Sequence, residues 1–319
     1  MKVSVVIPTH NRTAWLELTI RSVLRQHHSD LETIVVDDGS TDDTPELLSR
    51  MADPRVRVIR HDSSQGVAAS RNHGAAEARG EWIGFVDDDD VWAPDKLASQ
   101  LDAADAAGRT WVYAGVVHVD DHTRLIGGRP PLPPDAVARL VRHYNVVPGG
   151  GSNVIVQRDA FQRAGPFDVR LKNTEDWEMW IRLNEQGPPA WVPRPLVGKR
   201  EHARMASLDV TAIFEGVSLI ERRHETNVDR GVLHRWIAEV SLRNGQRLEA
   251  IKHMAIAAVR GQAPGVSRDA ATIIRRRLHL DRPPTATPAA HAEWAEEARA
   301  WVDELLRTSA TGADGGGPR

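Results

Sequence analysis

The chain has 319 residues, 41% of them hydrophobic, which suffices for one large α/β domain and a helical appendage. Its formal net charge of -3 argues against a general nucleic-acid binder, because no basic excess exists to neutralise many phosphates. The lack of cysteine excludes disulfides, thiolate metal sites and cysteine nucleophiles. No apolar run has the length of a signal peptide or a membrane span, so we expect a cytoplasmic protein. Binding to the inner face of the membrane through an arginine-rich amphipathic helix stays open, as does a homodimer.

Strand and helix patterns alternate from the amino terminus. β-Branched runs at 3–7, 31–36 and 55–60 are each followed by a helical pattern, of which the third covers 66–78. A further short apolar strand covers 81–86. Because successive βα units have right-handed crossovers, they predict a parallel sheet covered by helices on both faces. The polar residues that follow these strands then lie at one edge, where open α/β sheets bind ligands.

The most informative segment is 87–90, four aspartates directly after that last apolar strand. Like charges so close together resist joint ionisation unless a cation or strong donors lie among them, so a divalent metal is the natural partner. Carboxylate oxygens suit Mg²⁺ or Mn²⁺, which commonly keep waters and bridge to substrate phosphates. Taken by itself, the run is better explained by a solvated acidic turn, and only the rest of the chain favours the metal site.

The second half of the chain is less regular. Strands are predicted at 111–119 and 153–156, and the proline-rich segment 129–134 is predicted to be a loop. From about residue 208 the pattern becomes helical. The predicted helices cover 211–225, 230–243, 246–261, 266–278 and, after a proline-punctuated linker, 289–307. The second and third of these predict an αα-hairpin like one unit of a helical repeat, and the glycine-rich end is expected to be disordered.

Four segments stand in a particular order: 3–12, 36–42, 66–72 with the 85–92 stretch that follows it, and 175–180. Each is weakly specific alone, but together they resemble the family 2 inverting glycosyltransferases of the GT-A fold. The resemblance covers residues 1 to about 205 and implies a Rossmann-like α/β fold, a mixed sheet flanked by helices, with a C-terminal helical extension. We therefore divide the chain into a GT-A glycosyltransferase domain at 1–207, a helical extension at 208–282, a linker with a terminal helix at 283–311, and a tail at 312–319.

The resemblance implies a metal site at the acidic run. Asp87 and Asp89 match the DxD motif of the family, and Asp89 is expected to be a metal ligand. Asp87 or Asp88 is expected to meet the metal or the ribose. His202 lies where several relatives have a histidine that completes the metal shell or meets the diphosphate, although an ordinary surface histidine is the alternative. Imidazole is an acceptable Mn²⁺ ligand.

The resemblance also implies a nucleoside pocket. Asp38 is expected to read the uracil edge or the ribose, and Arg71 is expected to reach the base or the diphosphate. The other nucleotide-binding residues are expected to be Pro8, Thr9, Asn11 and Arg12. For Thr9, capping of the strand end is an equal alternative.

Inverting transfer needs a general base that takes a proton from the acceptor hydroxyl during attack on the anomeric carbon. The resemblance assigns this role to Asp176, with Glu175 orienting it or binding the acceptor. The alternative is that Asp176 caps the helix that follows.

The acceptor or sugar pocket is expected to include Trp177, whose ring can stack on a sugar. Gly150 and Gly151 allow close approach of the backbone to a ligand, although they also suit a flexible turn. These residues extend the expected site beyond the nucleotide.

The leading hypothesis is a transferase that needs Mn²⁺ or Mg²⁺ and moves a sugar from a UDP-linked donor to a saccharide, lipid-linked or other small acceptor. One alternative is a sugar nucleotidyltransferase, but that family has a glycine-rich, basic loop after its first strand and this chain has none. Another is a noncatalytic nucleotide-sugar-binding protein with a helical partner-binding tail, which would lack the base.

Overall fold

The computed structural model describes residues 1–202, 209–243, 245–262 and 289–311. Their strands are β1 (Val3–Thr9), β2 (Leu31–Asp37), β3 (Val56–Arg60), β4 (Trp82–Phe85), β5 (Val91–Trp92), β6 (Trp111–Val119), β7 (Leu125–Arg129), β8 (Ile155–Gln157) and β9 (Ala190–Arg200). Within this part of the chain they form one nine-stranded sheet in the order β3-β2-β1-β4-β8-β6-β9-β5, with β7 paired to β6. The sheet is mixed: β1 to β4 are parallel, as predicted, whereas β8 is antiparallel to both of its neighbours.

Helices cover the sheet. They are α1 (Thr13–Leu24), α2 (Thr44–Ser49), α3 (Val67–Ala76), α4 (Lys96–Ala107), α5 (Pro134–Leu140), α6 (Arg158–Ala164), α7 (Glu175–Gln186), α8 (Val210–His224), α9 (Arg230–Arg243), α10 (Arg247–Ala257) and α11 (Ala289–Thr311), with a 3-10 turn at Gly150–Ser152 and a π turn at Ala258–Gln262. Helices α9 and α10 form the predicted αα-hairpin. The predicted helix at 266–278 and the tail at 312–319 lie outside the described residues. None of the helices that the structure describes is long and apolar enough to cross a bilayer.

Alternate residues of the central strands enter two cores, one on each face of the sheet. The first core includes Val5 and Ile7 of β1 with Leu16 of α1. The second core includes Val6 of β1 with Ala75 of α3. Since both faces are buried, these strands are continuous apolar runs, as is typical of parallel sheets.

The helices after residue 208 belong to the second core. Ile213 and Val217 of α8 and Ile237 of α9 are buried in one cluster with Trp177 and Met179 of α7. The chain turns helical at the predicted boundary of 207/208, and the helices that follow complete the hydrophobic core of the preceding part. The change in periodicity at 208 marks a change of secondary structure, which the sequence pattern cannot distinguish from a domain boundary.

The terminal helix α11 covers the other face. Trp301 and Leu305 join the first core, and Trp301 Nε1 donates to the Pro195 carbonyl of β9 at 2.8 Å. Arg194 of β9 pairs with Glu297 of α11 at 2.5 Å. The helix that we expected after a linker thus packs directly on the sheet.

Helix α8 presses on the start of α7. Gly216 of α8 lies against Thr174, the residue that precedes α7, and a Cβ at Gly216 would collide with the Thr174 hydroxyl. Farther along, His224 Nε2 and Glu178 Oε1 are 3.0 Å apart, so the two helices are joined at a second point. The position of α7 therefore depends on the C-terminal helices.

Candidate active site

The predicted polar residues meet at one edge of the sheet. Asn11 and Arg12 follow β1, Asp38 follows β2, and the aspartates 87–90 follow β4. These three strands are parallel, so their carboxyl ends lie at the same edge. Strand β9 runs parallel to β6 and brings His202 to this edge from a distant part of the sequence.

Asp89 and His202 form the side of the site that the resemblance assigns to a metal. Asp89 Oδ2 and His202 Nε2 are 2.8 Å apart, and Arg12 Nη1 lies 3.5 Å from the same carboxylate oxygen. Burial alone would raise the pKa of Asp89, but the His202 hydrogen bond and the charges of Lys199 and Arg12 outweigh it and lower that pKa. Asp89 is therefore ionised at neutral pH.

The neighbouring acids differ from Asp89. Burial and the Asp89 charge raise the pKa of Asp88 well above its ordinary value. Asp90 accepts hydrogen bonds from Ser152 Oγ at 2.6 Å and from the Arg200 backbone N–H at 2.8 Å. Burial, with the charges of nearby aspartates, raises the pKa of Asp90 to about 7. Asp90 thus anchors the acidic loop to β9 and to the 3-10 turn.

Arg71 joins the two acidic motifs. Its Nη2 donates to Asp87 Oδ1 at 2.5 Å and its Nη1 donates to Glu175 Oε1 at 2.7 Å. The guanidinium is buried, and those two carboxylates raise its pKa despite the burial. Both amino groups of Arg71 are used inside the protein, and the expectation that it reaches the base or the diphosphate stays a prediction. A Cβ at Gly151 would lie 2.8 Å from Arg71 Nη2, so this glycine makes room for the arginine, and its place in the acceptor or sugar pocket stays a prediction.

Asp176 lies across from the acidic run. Helix α7 begins at Glu175 with Thr174 at the N-cap, so Asp176 is not the cap. Burial, and then the Glu175 charge, raise the pKa of Asp176 to about 7. Gly150 has φ +58°, and a Cβ on it would lie 3.1 Å from Asp176 Oδ2. A general base is most effective with a pKa near the working pH, and Asp176 has that property.

Asp38 is saturated by protein donors. Oδ1 lies 2.7 Å from His61 Nδ1, and the backbone N–H groups of Gln65 and Gly66 donate to the carboxylate at 2.8 to 3.0 Å. Burial alone would raise the pKa of Asp38, but these bonds and one from the Ser64 hydroxyl hold it at about 2. In this structure Asp38 organises the loop that leads into α3, and its contact with a nucleoside stays a prediction.

The residues at the end of β1 and in the loop that follows it also make contacts within the protein. Pro8 and Thr9 are buried at the end of β1, and the Thr9 carbonyl accepts from the Asp38 backbone N–H at 2.8 Å. The Asn11 side-chain oxygen accepts from the Thr41 backbone N–H at 2.8 Å. Asn11 therefore holds the loops after β1 and β2 together. To bind a nucleoside, its side-chain oxygen would have to give up this hydrogen bond.

Trp177 requires a correction. Its ring is 3% exposed in the second core, and its Nε1 donates to the Val141 carbonyl at 2.6 Å. A ring in that position cannot stack on a sugar. The sequence pattern predicts that Trp177 lies on a helix, but it does not indicate which face of α7 packs against the core.

Lys199 of β9 is a site residue that the sequence analysis missed. Burial alone would lower the pKa of Lys199, but the charges of Asp90, Asp87, Asp89 and Asp176 outweigh it and raise that pKa, so the ammonium lies among both acidic motifs. Strand β9 contains prolines at 193 and 195, and proline within a run argues against a strand.

The described residues contain no group of three or more His, Asp or Glu side chains arranged to hold a metal ion. Asp89 and His202 nevertheless offer one oxygen and one nitrogen 2.8 Å apart. A cation that binds with a nucleotide typically takes one or two protein ligands and completes its shell with phosphate oxygens and water. This pair therefore fits Mg²⁺ or Mn²⁺ that arrives with a diphosphate.

Comparisons with known proteins find glycosyltransferases among the relatives of this chain. An uncharacterized glycosyltransferase of Rickettsia felis is 46% identical over 101 residues, which are 31% of this chain and 17% of that protein. The colanic acid biosynthesis glycosyl transferase WcaA of Escherichia coli is 29% identical over 235 residues, 72% of this chain and 83% of WcaA.

The fold agrees with that of solved structures. The crystal structure of S. aureus TarS 1-349 in complex with UDP-GlcNAc superposes with a TM-score of 0.54 at 17% identity, covering 96% of this chain and 84% of that one. The model of glycosyl transferase family 2 matches residues 4–165, which include β1, the acidic run and Arg71. The chain belongs to glycosyl transferase family 2.

Proposed function

We propose that this glycosyltransferase moves a sugar from a UDP-linked donor to a hydroxyl of a saccharide, lipid-linked or other small acceptor, with inversion at the anomeric carbon. The observation that carries the proposal is Asp176, a carboxylate whose pKa is raised to about 7 beside the Gly150 turn and across from the acidic run. The UDP-GlcNAc named for TarS supports the choice of donor, and the name of WcaA supports a role in polysaccharide biosynthesis.

In the proposed reaction, Asp176 accepts the proton of the acceptor hydroxyl while that oxygen attacks the anomeric carbon. The new carbon–oxygen bond forms as the bond to the diphosphate breaks, and the electron pair leaves with the diphosphate. Arg71 pairs with Glu175 beside the base and with Asp87, and so fixes the distance between α7 and Asp87. The negative charge of Glu175 disfavours a second charge on Asp176, which keeps the base strong enough to take the proton.

We propose that Asp89 and His202 hold Mn²⁺ or Mg²⁺ together with the donor diphosphate. When bound, the ion supplies Lewis-acid stabilisation of the negative charge on the leaving diphosphate. Asp87 has one oxygen in the Arg71 pair and offers the other to the ion or the ribose. We assign Arg12, whose Nη1 lies 3.5 Å from Asp89 Oδ2, to the phosphates of the donor.

Asp89→Asn and His202→Ala are expected to weaken UDP binding in the presence of Mn²⁺ by at least about tenfold, since each removes one of two protein ligands. Titration calorimetry with UDP, with and without EDTA, measures this effect. Asp102→Asn, an exposed aspartate on α4, is the matched control and should bind as the parent does. Parent-like affinity of Asp89→Asn, together with an affinity of the parent that EDTA leaves unchanged, would show that no metal is used.

The reaction itself is tested with a panel of nucleotide sugars. A donor at a hundredfold its Kd stabilises the folded state by roughly 2.7 kcal/mol, so thermal shifts identify it. With that donor and an acceptor panel, NMR of the product gives the anomeric configuration. A product with retained configuration contradicts the proposal. A stabilising donor from which neither Asp176→Asn nor the parent transfers a sugar to any acceptor would favour the noncatalytic sugar-nucleotide binder.

The pH dependence of the transfer rate follows from Asp176. The base acts when ionised, and a pKa of about 7 leaves it increasingly protonated below neutrality. We therefore expect kcat/KM to fall about tenfold per pH unit below this pKa and to level off above it. A carboxylate with an ordinary pKa of about 3.9 would instead give a flat profile between pH 5 and 8. Such a flat profile in buffers of constant ionic strength would contradict the raised pKa.

A further inference from the structure

Lys199 reaches the acidic run because β9 pairs with β5. The ladder is antiparallel with Val91 opposite Gly198, so the next pair along it is Asp90 with Lys199. The Arg200 backbone N–H donates to the Asp90 side chain at Oδ1, 2.8 Å away, which joins the two segments beside this pair. The backbone position of Lys199 is therefore fixed by sheet pairing rather than by a flexible loop.

The Arg200 side chain goes elsewhere. Its guanidinium donates to the carbonyls of Asp89 and Asp120 and to the Thr123 hydroxyl. Neighbouring residues of a strand point to opposite faces, which leaves Lys199 directed toward the acids. Its Nζ lies 3.7 Å from the Cβ position of Gly150, and Asp176 Oδ2 lies 3.1 Å from the same point.

The ammonium is surrounded by carboxylates without touching one. Asp87, Asp89, Asp90 and Asp176 all stabilise its charge, yet the Lys199 side chain forms no ion pair or hydrogen bond with the residues that the structure describes. A partly buried ammonium has three N–H donors to satisfy. The space between the cation and the acids is therefore suited to a polar ligand.

Resting on the proposed function, we propose that Lys199 is a catalytic residue that donates a hydrogen bond to the donor's β-phosphate as the diphosphate leaves. It lies between the general base and the acids that face the diphosphate, which is where the bond between sugar and phosphate must break. During the step the acceptor proton goes to Asp176, the electron pair of the breaking bond goes to the phosphate oxygen, and Lys199 keeps its proton. A fixed cation aimed at developing charge is an effective form of transition-state stabilisation.

The alternative is that Lys199 only balances the charge of the acids. A counter-ion of that kind would stabilise the fold but would not distinguish nucleotides with one phosphate from those with two. The comparison of UDP with UMP, which lacks the β-phosphate, therefore separates the two roles and needs no catalytic turnover.

The test measures the affinities of UDP and UMP by calorimetry for the parent, Lys199→Met and Lys199→Arg. We expect Lys199→Met to lower the ratio of UDP affinity to UMP affinity by about tenfold or more, the usual effect of a lost charged hydrogen bond, and Lys199→Arg to restore part of it. Lys172→Met makes the same charge change at an exposed lysine and should keep the parent ratio. If Lys199→Met lowers the melting temperature too far for binding to be measured, the ratio of UDP affinity to UMP affinity is measured for Lys199→Gln and Lys199→Arg instead.

A parent-like ratio in the folded Lys199 variants would overturn the proposal, whatever their stability. Once a donor and an acceptor are known, kcat of Lys199→Met should fall as well, and an unchanged kcat would also contradict it. This outcome does not depend on whether Asp176 is the general base. If Asp176→Asn kept its rate while Lys199→Met lost its preference for UDP, base catalysis by Asp176 would be refuted. The contact of Lys199 with the β-phosphate would still be supported.

Discussion

Replacing Asp176 by Asn is expected to lower kcat by about 10² to 10⁴, the usual contribution of general base catalysis. The change keeps the shape of the side chain and an oxygen that can accept from the Trp177 backbone N–H, but it removes the ability to take a proton. Donor affinity should stay within about twofold of the parent, because the binding assigned to Asp89 and His202 is untouched. Steady-state rates with a known donor and acceptor, and calorimetry with the donor alone, measure the two quantities.

Two controls make this result specific. Asp102→Asn carries the same change on an exposed helix face and should leave kcat as it is. Glu175→Gln keeps the base but removes a negative charge beside it, so the acidic limb of the pH profile should move to lower pH. Retention of the rate by Asp176→Asn would assign the base to another group.

Replacing Arg71 by Met is expected to lower the free energy of unfolding by about 3 to 5 kcal/mol, the effect of breaking a buried ion pair by removing one partner. The loss leaves Asp87 and Glu175 without their common cation, and Glu175 is buried. Urea denaturation followed by tryptophan fluorescence measures the change. Arg139→Met removes an exposed pair on α5 and should alter the stability by no more than about 0.5 kcal/mol.

The Arg71 variant also tests how the two acidic motifs are connected. Arg71→Lys keeps the charge but offers no planar fork, so it cannot hold both carboxylates in the same geometry. We expect Arg71→Lys to be more stable than Arg71→Met. Its transfer rate, kcat, should remain below that of the parent. If Arg71→Met were as stable as the parent, the two ion pairs would contribute nothing to the fold.

The first sheet strands and the acidic loop were predictable because their signals are local. β1, β2 and β4 are short apolar runs, and the polar residues that follow them must lie at one edge once the strands are parallel. The role of Asp176 as a candidate base came from the resemblance, whereas its raised pKa depends on burial and on Glu175, which only the folded chain shows.

The remaining parts of the site depend on contacts between distant residues. Arg71 and Glu175 are 104 positions apart, and no periodicity indicates that they pair. Asp38 looks like a free carboxylate in the sequence, yet backbone N–H groups from another loop saturate it. Lys199 lies on a strand with two prolines, which is tolerated because β9 bulges against β6 where the register shifts. Each of these arrangements is a property of the tertiary structure.

The close contact between Gly216 and Thr174 has a consequence for recombination between relatives. A crossover at residue 208 preserves every residue of the family match at 4–165, yet it sets a foreign helix against the N-cap of α7. Any side chain larger than hydrogen at position 216 would then displace the end of the helix that carries Asp176. Chimeras that exchange the donor half of the chain should therefore cross over before Thr174, so that α7 and α8 are inherited as one unit.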